Sequence, residues 1–169
     1  MKRLVIYFSR KGNNYVSGSI TNLKEGNVEK IVQMIQTCTD TDVFEVVRKE
    51  PYPIDYRECV NESGRELKED ARPELVNYLD DISEYDMIYV VGPCWCGNYP
   101  MPLASQLEKL DFNGKKVRYI ISHEGSGLAR SKENITSWCK NAIVLDGLGV
   151  KGCDITEDEL TGWIDKEEM

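Results

Sequence analysis

The sequence predicts a doubly wound α/β protein, with a five-stranded parallel sheet in the order 2-1-3-4-5 and helices on both faces. Strand-like and helix-like segments alternate along the chain. Several strand segments are unbroken apolar runs, as expected where both faces of a sheet are covered. The 169 residues are 41% hydrophobic and 30% charged, which suits one ordinary domain spanning residues 1–169.

The strand candidates are Leu4–Phe8, Val43–Val47, Met87–Val91, Val117–Ser122 and Ala142–Leu145. The first helix opens near Asn27, where Val28, Ile31, Val32 and Ile35 form one apolar stripe and Glu29 favours the positive end of the helix dipole. A second helical region is expected around Pro73, with Leu75, Val76 and Leu79 facing one way. The third starts at Pro102 and carries Leu103, Leu107 and Leu110. The fourth runs over Lys132–Lys140 with Ile135 and Trp138 inward. The last opens on a capping box, Thr156-Glu157-Asp158-Glu159, followed by Leu160, Trp163 and Ile164. Trp138 and Trp163 read as core residues, the acidic stretch Glu157–Met169 as a packed helix with a solvated face, and Pro51–Ser63 as the longest irregular segment.

Charge and composition exclude several function classes. The net charge of −8 comes without a concentrated basic face, so nucleic acid is not an expected partner. No apolar run approaches the roughly 20 residues that span a bilayer, and the opening segment is too short and too soon polar for a signal peptide. The expectation is a cytoplasmic protein with no membrane association and six reduced cysteines. With one histidine and no paired CxxC motifs, a metal site is not expected.

In an open α/β sheet, ligands bind outside the carboxyl ends of the strands, at the point where the strand order reverses. That rule selects three loops. The first reads Ser9-Arg10-Lys11-Gly12-Asn13-Asn14, yet the helical pattern begins only at Val28. An anion would be stabilised at the helix start, so a split phosphate site is inferred: Ser9 and Arg10 on one side, Gly26, Asn27 and Val28 on the other. Tyr15–Glu25 is then an excursion. A polar loop with an ordinary cap accounts for the same residues.

The second loop holds Pro93, Cys94, Trp95, Cys96 and Gly97. Trp95 can wall a planar ring, and Gly97 allows backbone groups to approach one. The third holds His123, Glu124, Gly125, Ser126 and Gly127, whose glycines and serine offer backbone and hydroxyl groups to a ring edge. His123 fits either a strand-end residue or a site residue. The run Gly147-Leu148-Gly149-Val150-Lys151-Gly152 matches GxGxxG but opens no helical pattern, so it is not read as a dinucleotide site. A Cys94/Cys96 disulfide would be strained.

Taken together, Tyr7-Phe8-Ser9-Arg10, Gly26-Asn27, Tyr52-Pro53, Ala71-Arg72-Pro73, Tyr85-Asp86, Pro93-Cys94-Trp95, Asp111-Phe112-Asn113-Gly114-Lys115, His123-Glu124-Gly125-Ser126-Gly127 and Gly147-Leu148 resemble the flavodoxins, in the group whose first loop carries a long excursion. The resemblance implies a flavodoxin-like fold and non-covalent FMN. It places Ser9, Arg10, Gly26, Asn27 and Val28 around the phosphate. Pro93, Cys94, Trp95, Cys96 and Gly97 would line the isoalloxazine, and His123 through Gly127 would close its other side. Two departures stand out. Val28 replaces the family's usual threonine, losing a hydroxyl worth about 1 kcal/mol or more toward a charged group. Cys96 replaces a second tryptophan, removing about 1 kcal/mol of aromatic contact.

The expected function is electron transfer through bound FMN, to a redox partner protein or a small-molecule electron acceptor. In that role Glu124 would disfavour negative charge on the reduced ring. Two alternatives share the fold. One is an FMN-dependent oxidoreductase that reduces quinones or nitro compounds with NAD(P)H, with His123 as proton donor. The other is a binding module that has lost FMN, for which Val28 and Cys96 speak.

Overall fold

The computed structural model describes residues 1–166. Its elements in chain order are β1 (Arg3–Tyr7), β2 (Gly12–Val16), β3 (Ser19–Leu23), α1 (Asn27–Cys38), β4 (Asp42–Glu45), α2 (Tyr56–Glu69), β5 (Met87–Pro93), α3 (Met101–Leu107), β6 (Lys116–His123), α4 (Ser131–Trp138), β7 (Ile143–Lys151) and α5 (Glu157–Asp165). Five strands form the sheet β4-β1-β5-β6-β7, all parallel, which is the expected 2-1-3-4-5 order.

The central strands β1, β5 and β6 are buried on both faces, which explains their unbroken apolar runs. On one face, Val28, Ile31, Val32 and Ile35 of α1 and Leu160, Trp163 and Ile164 of α5 pack over Val5, Tyr89 and Ile120. On the other, α3 and α4 bring Leu103, Leu107, Ile135 and Trp138 against Ile6, Ile88, Val90 and Ile121. The α5 capping box forms as expected, with Thr156 and Glu159 bonding reciprocally. Residues 167–169, the end of the acidic stretch, lie outside the described residues. Among the described residues no helix is long and apolar enough to cross a membrane.

The second helix is displaced from its expected place. Residues around Pro73 are irregular, and their backbone bonds go elsewhere: the Gln106 side chain accepts from Leu79 N and donates to Leu79 O (2.8 and 2.9 Å), while Leu75 N donates to the Tyr78 hydroxyl. With those groups satisfied by side chains, the apolar residues there need no helix. Helix α2 instead covers Tyr56–Glu69, most of it within the stretch expected to be irregular. Its inward face is Cys59, Ser63 and Glu66, too polar to give an apolar stripe, and its start is set by Asp55, which accepts from Glu58 N at 3.0 Å.

The last strand is also longer than expected. It takes in the glycine run, so Gly147 and Gly149 are strand residues rather than residues of a following loop. A Cβ on Gly147 would overlap the Tyr119 ring, a packing reason for glycine that has nothing to do with phosphate. The excursion after β1 is a two-stranded antiparallel hairpin, β2–β3, turned at Ser17-Gly18 with φ of 48° and 91°.

Candidate functional site

A cleft of about 430 Å³ opens at the carboxyl ends of β1, β5 and β6. The strand-order reversal lies between β4-β1 on one side and β5-β6-β7 on the other, so topology alone positions it. Of the residues singled out in the sequence, Arg10, Asn27, Val28, Pro93, Cys94, Trp95, Cys96, Gly97, His123, Glu124, Gly125 and Ser126 line this cleft. Ser9, Gly26 and Gly127 do not line it.

Ser9 and Gly26 build the wall from behind. Gly26 is the N-cap of α1 and has no side chain to cap with. The Ser9 hydroxyl, reaching over from the end of β1, accepts from Glu29 N at 3.2 Å and supplies the missing cap. The approach is close enough that a Cβ on Gly26 would overlap Ser9 Oγ and stand 2.7 Å from the Arg10 carbonyl oxygen. The next residues, Asn27 and Val28, line the cleft, and their amides belong to the first helical turn and have no acceptor within the helix.

Arg10 lines the cleft and also has a structural job. Its Nε donates to Asn13 O at 2.9 Å, and its Nη2 donates to Pro53 O and Ile54 O at 2.9 and 3.0 Å. The guanidinium therefore ties the base of the β2–β3 hairpin to the segment before α2. The hairpin's far end is tied as well, since Ser17 N donates to Glu124 Oε2 at 3.0 Å. Tyr15 of β2 stacks on Tyr56 of α2, with ring centroids 6.2 Å apart. The hairpin is thus fastened across one flank of the cleft at three points.

The loop after β5 is a two-residue hairpin. Trp95 N donates to Asn98 O (2.7 Å) and Asn98 N to Trp95 O (3.0 Å), with Cys96 and Gly97 at φ of 52° and 78°. Positive φ at both central residues is what such a turn requires, and it is costly for a cysteine. Trp95 is half-buried: its ring meets Phe8 and Tyr52 edge to face at 5.2 and 5.1 Å, and it also lines the cleft. The indole is a wall of the cleft and a satellite of the core at once.

In the third loop, His123 Nδ1 accepts from Gly125 N at 3.0 Å. In the neutral ring the proton then sits on Nε2, which faces Gly149 of β7, 3.4 Å from where a Cβ would stand. Ser126 donates to Cys94 Sγ at 3.2 Å, closing the second loop against the third.

Sequence reasoning missed the α2 side of the cleft, where Tyr56, Cys59, Val60 and Ser63 stand, together with Asn14 and Tyr15 of the hairpin. The available signal was Asp55 followed by Glu58, a helix start, with Tyr56, Cys59, Val60 and Ser63 spaced for one face. Burial pushes the Cys59 thiol up, with the nearby Arg10 charge opposing it. Burial likewise raises the Tyr56 phenol.

The family model described as flavodoxin matches residues 2–167. Among solved structures, a chain described as a flavoprotein from Bacteroides eggerthii is 19% identical with a TM-score of 0.80, covering 99% of this chain and 98% of that one. A second, from Bacteroides uniformis, is 21% identical with a TM-score of 0.78, covering 97% of each chain. A Lactobacillus acidophilus flavoprotein solved in complex with FMN is 17% identical with a TM-score of 0.66, covering 99% of each chain. No curated protein matches the chain. The structural likenesses establish the fold, and the sequence match over nearly the whole length shows that the chain belongs to the flavodoxin family.

Proposed function

We propose that the cleft holds FMN non-covalently and that the protein passes electrons through it. One observation carries this reading: the start of α1, at Asn27 and Val28, and Trp95 line the same cleft at the sheet's reversal point. A helix start is suited to a phosphate and an indole to a planar ring. The volume of about 430 Å³ falls in the usual range for a small-molecule site. The Lactobacillus acidophilus relative solved with FMN supports the same assignment.

The residues present fit the cofactor. Gly26 lets the helix start approach the Ser9–Arg10 segment as only a residue without a Cβ can. Gly97 and Gly125 have φ of 78° and 142° with nothing within 4 Å of a would-be Cβ, so no side chain stands between a ring and the backbone there, while Gly97 O accepts from Arg130 N and Gly125 N donates to His123. Asn27 and Val28 amides and the Ser9 hydroxyl would hold the phosphate. Arg10, whose guanidinium is already bonded to three carbonyls, would contribute charge at a distance and order the hairpin. Trp95 would wall the ring, with the Gly97 and Gly125 backbone and Cys94 at its edge.

Bound FMN would supply one- and two-electron redox chemistry. The chain's own residues bind, orient and tune. Glu124, fixed by Ser17 N, sets a carboxylate beside the cleft, and a negative charge there opposes the arrival of another. The overall charge of −8 suits exchange with a basic partner or a cationic small molecule.

The test is spectroscopic. Purified protein is expected to be yellow or, if stripped, to quench the fluorescence of added FMN at one equivalent. Protein that stays colourless and leaves micromolar FMN fluorescence unchanged would overturn the assignment. Oxidation of NAD(P)H in the presence of a quinone, at a rate that saturates with the quinone, would move the reading from carrier to reductase.

A further inference from the structure

Trp95 does not stand alone behind the cleft. Its ring lies 5.1 Å from that of Tyr52, and the Tyr52 hydroxyl donates to Glu66 Oε1 of α2 at 2.5 Å. Glu66 is buried at 8% exposure. Arg48 lies on the far side of the cluster, 3.7 Å from Glu66, 2.7 Å from Glu62, and with its Cζ 4.1 Å from the Tyr52 ring centroid. An oxidisable indole lining the cleft therefore touches an oxidisable phenol whose proton already has a carboxylate acceptor.

We propose that Trp95, Tyr52 and Glu66 form a proton-coupled relay that carries an oxidising equivalent away from the cleft. When Trp95 has lost one electron, it takes one from Tyr52, and the Tyr52 phenolic proton passes to the Glu66 carboxylate. The O–H bond of Tyr52 breaks and an O–H bond forms on Glu66. The products are neutral Trp95, a neutral Tyr52 radical and a protonated Glu66. An oxidised indole that has released its N–H proton to water recovers it from water in the same exchange. The oxidant is, by class, a one-electron acceptor held against Trp95; in the reading above that is oxidised flavin under illumination. The relay's physiological use rests on that reading, whereas its geometry does not.

Arg48 makes the proton transfer obligatory. A guanidinium over the Tyr52 ring face stabilises the neutral ring and disfavours a positive one. Electron loss that left the proton on Tyr52 would create a cation beneath a cation. Loss of the proton to Glu66 removes that conflict. Burial raises the Glu66 carboxyl, while the Tyr52 hydroxyl and Arg48 oppose that rise and favour the ionised, proton-accepting form.

The relay can be read without flavin. Azide radicals generated by pulse radiolysis oxidise tryptophan, and the accessible target is Trp95, since Trp138 and Trp163 are each only 6% exposed. In the wild type, the visible band of the tryptophan radical should decay as the near-ultraviolet band of the tyrosyl radical rises, with one rate independent of protein concentration. Tyr52→Phe and Trp95→Phe should each remove that phase. Glu66→Gln, nearly isosteric, should slow it roughly 10- to 100-fold, the factor associated with a lost charge-assisted hydrogen bond. Deuterated water should slow the wild type, which needs no variant at all. A phase that survives in Tyr52→Phe, or runs at the wild-type rate in Glu66→Gln and in deuterated water, overturns the proposal. FMN titration of the same samples is scored separately, so loss of the flavin reading and loss of the relay are distinguishable.

Discussion

Substituting Gly26 by alanine tests how the cleft's phosphate end is built. Gly26 has φ of −65° and ψ of 153°, a conformation any residue adopts, so alanine incurs no backbone strain there. On that ground alone the change would stabilise the fold by about 0.4–1 kcal/mol through the unfolded chain. The obstacle is contact: the new Cβ would overlap Ser9 Oγ and stand 2.7 Å from Arg10 O. Moving Ser9 aside loses the cap on Glu29 N, about 1 kcal/mol. Forcing the two segments apart adds about 1–3 kcal/mol. The net expectation is a loss of about 2 kcal/mol, or roughly 4–8 °C in melting temperature for a chain of this size.

The same displacement moves the amides of Asn27 and Val28 away from the Ser9 segment, so FMN affinity should fall roughly 10- to 100-fold, the equivalent of one charge-assisted hydrogen bond. Thermal melts of the apoprotein and fluorescence titration with FMN read the two effects. Ser9→Ala is the control: it removes the cap alone, at about 1 kcal/mol. In the double variant the nearest obstruction is gone, so the losses should fall short of additive by about 1 kcal/mol. Gly26→Ala protein that melts at or above the wild-type temperature, with unchanged FMN affinity, would refute the close-approach argument.

Three other outcomes follow from the site. Val28→Thr places a hydroxyl at the helix start, so FMN affinity should rise roughly tenfold, the worth of one such bond, while the apoprotein loses some stability because Val28 is buried against the α1 core; an unchanged or weaker affinity by titration counts against a phosphate there. Glu124→Ala frees the hairpin tip from its bond with Ser17 N, and amide exchange should speed up across β2–β3 while β1, β5 and β6 keep their protection. Burial raises the Glu66 carboxyl in the folded state, above its unfolded value. Stability from its protonated form is therefore complete below the unfolded pKa, about 4.3, and is lost as pH rises through the folded value. Urea unfolding of wild type and Glu66→Gln should show the wild type losing ground to the variant over that rise, and a constant difference would contradict it.

The sheet was legible because its central strands are buried on both faces. Leu4–Ile6, Met87–Val91 and Val117–Ile121 are nearly continuous apolar runs with few competing readings. Helices α1, α3 and α5 were legible from their apolar stripes and start signals. Helix α2 was not, because one side of it faces a cleft rather than a core. Cys59 and Ser63 line that cleft and Glu66 turns to Tyr52 and Arg48, so its inward face is not required to be apolar. The same exchange misplaced Leu75 and Leu79. Both are drawn inward, but their backbone is satisfied by Tyr78 and Gln106, a device that no local pattern announces.

The site divides along the same line. The loops after β1, β5 and β6 follow from topology, since the strand order dictates where their ends converge. What each side chain does there depends on atoms far away in sequence. Arg10 looked like a phosphate ligand because of its position, and it does line the cleft, yet its Nε and Nη2 also donate to carbonyls at residues 13, 53 and 54. Trp95 was read as the wall for a planar ring, and one side of it is also set against Phe8 and Tyr52. A wall braced in this way gives a ring a rigid surface to pack on, because the indole's own freedom is already lost before any ligand arrives. The brace is Tyr52, and Tyr52 is held in turn by Glu66 of α2, so the helix that sequence reasoning missed is also the one that fixes the orientation of the residue it found.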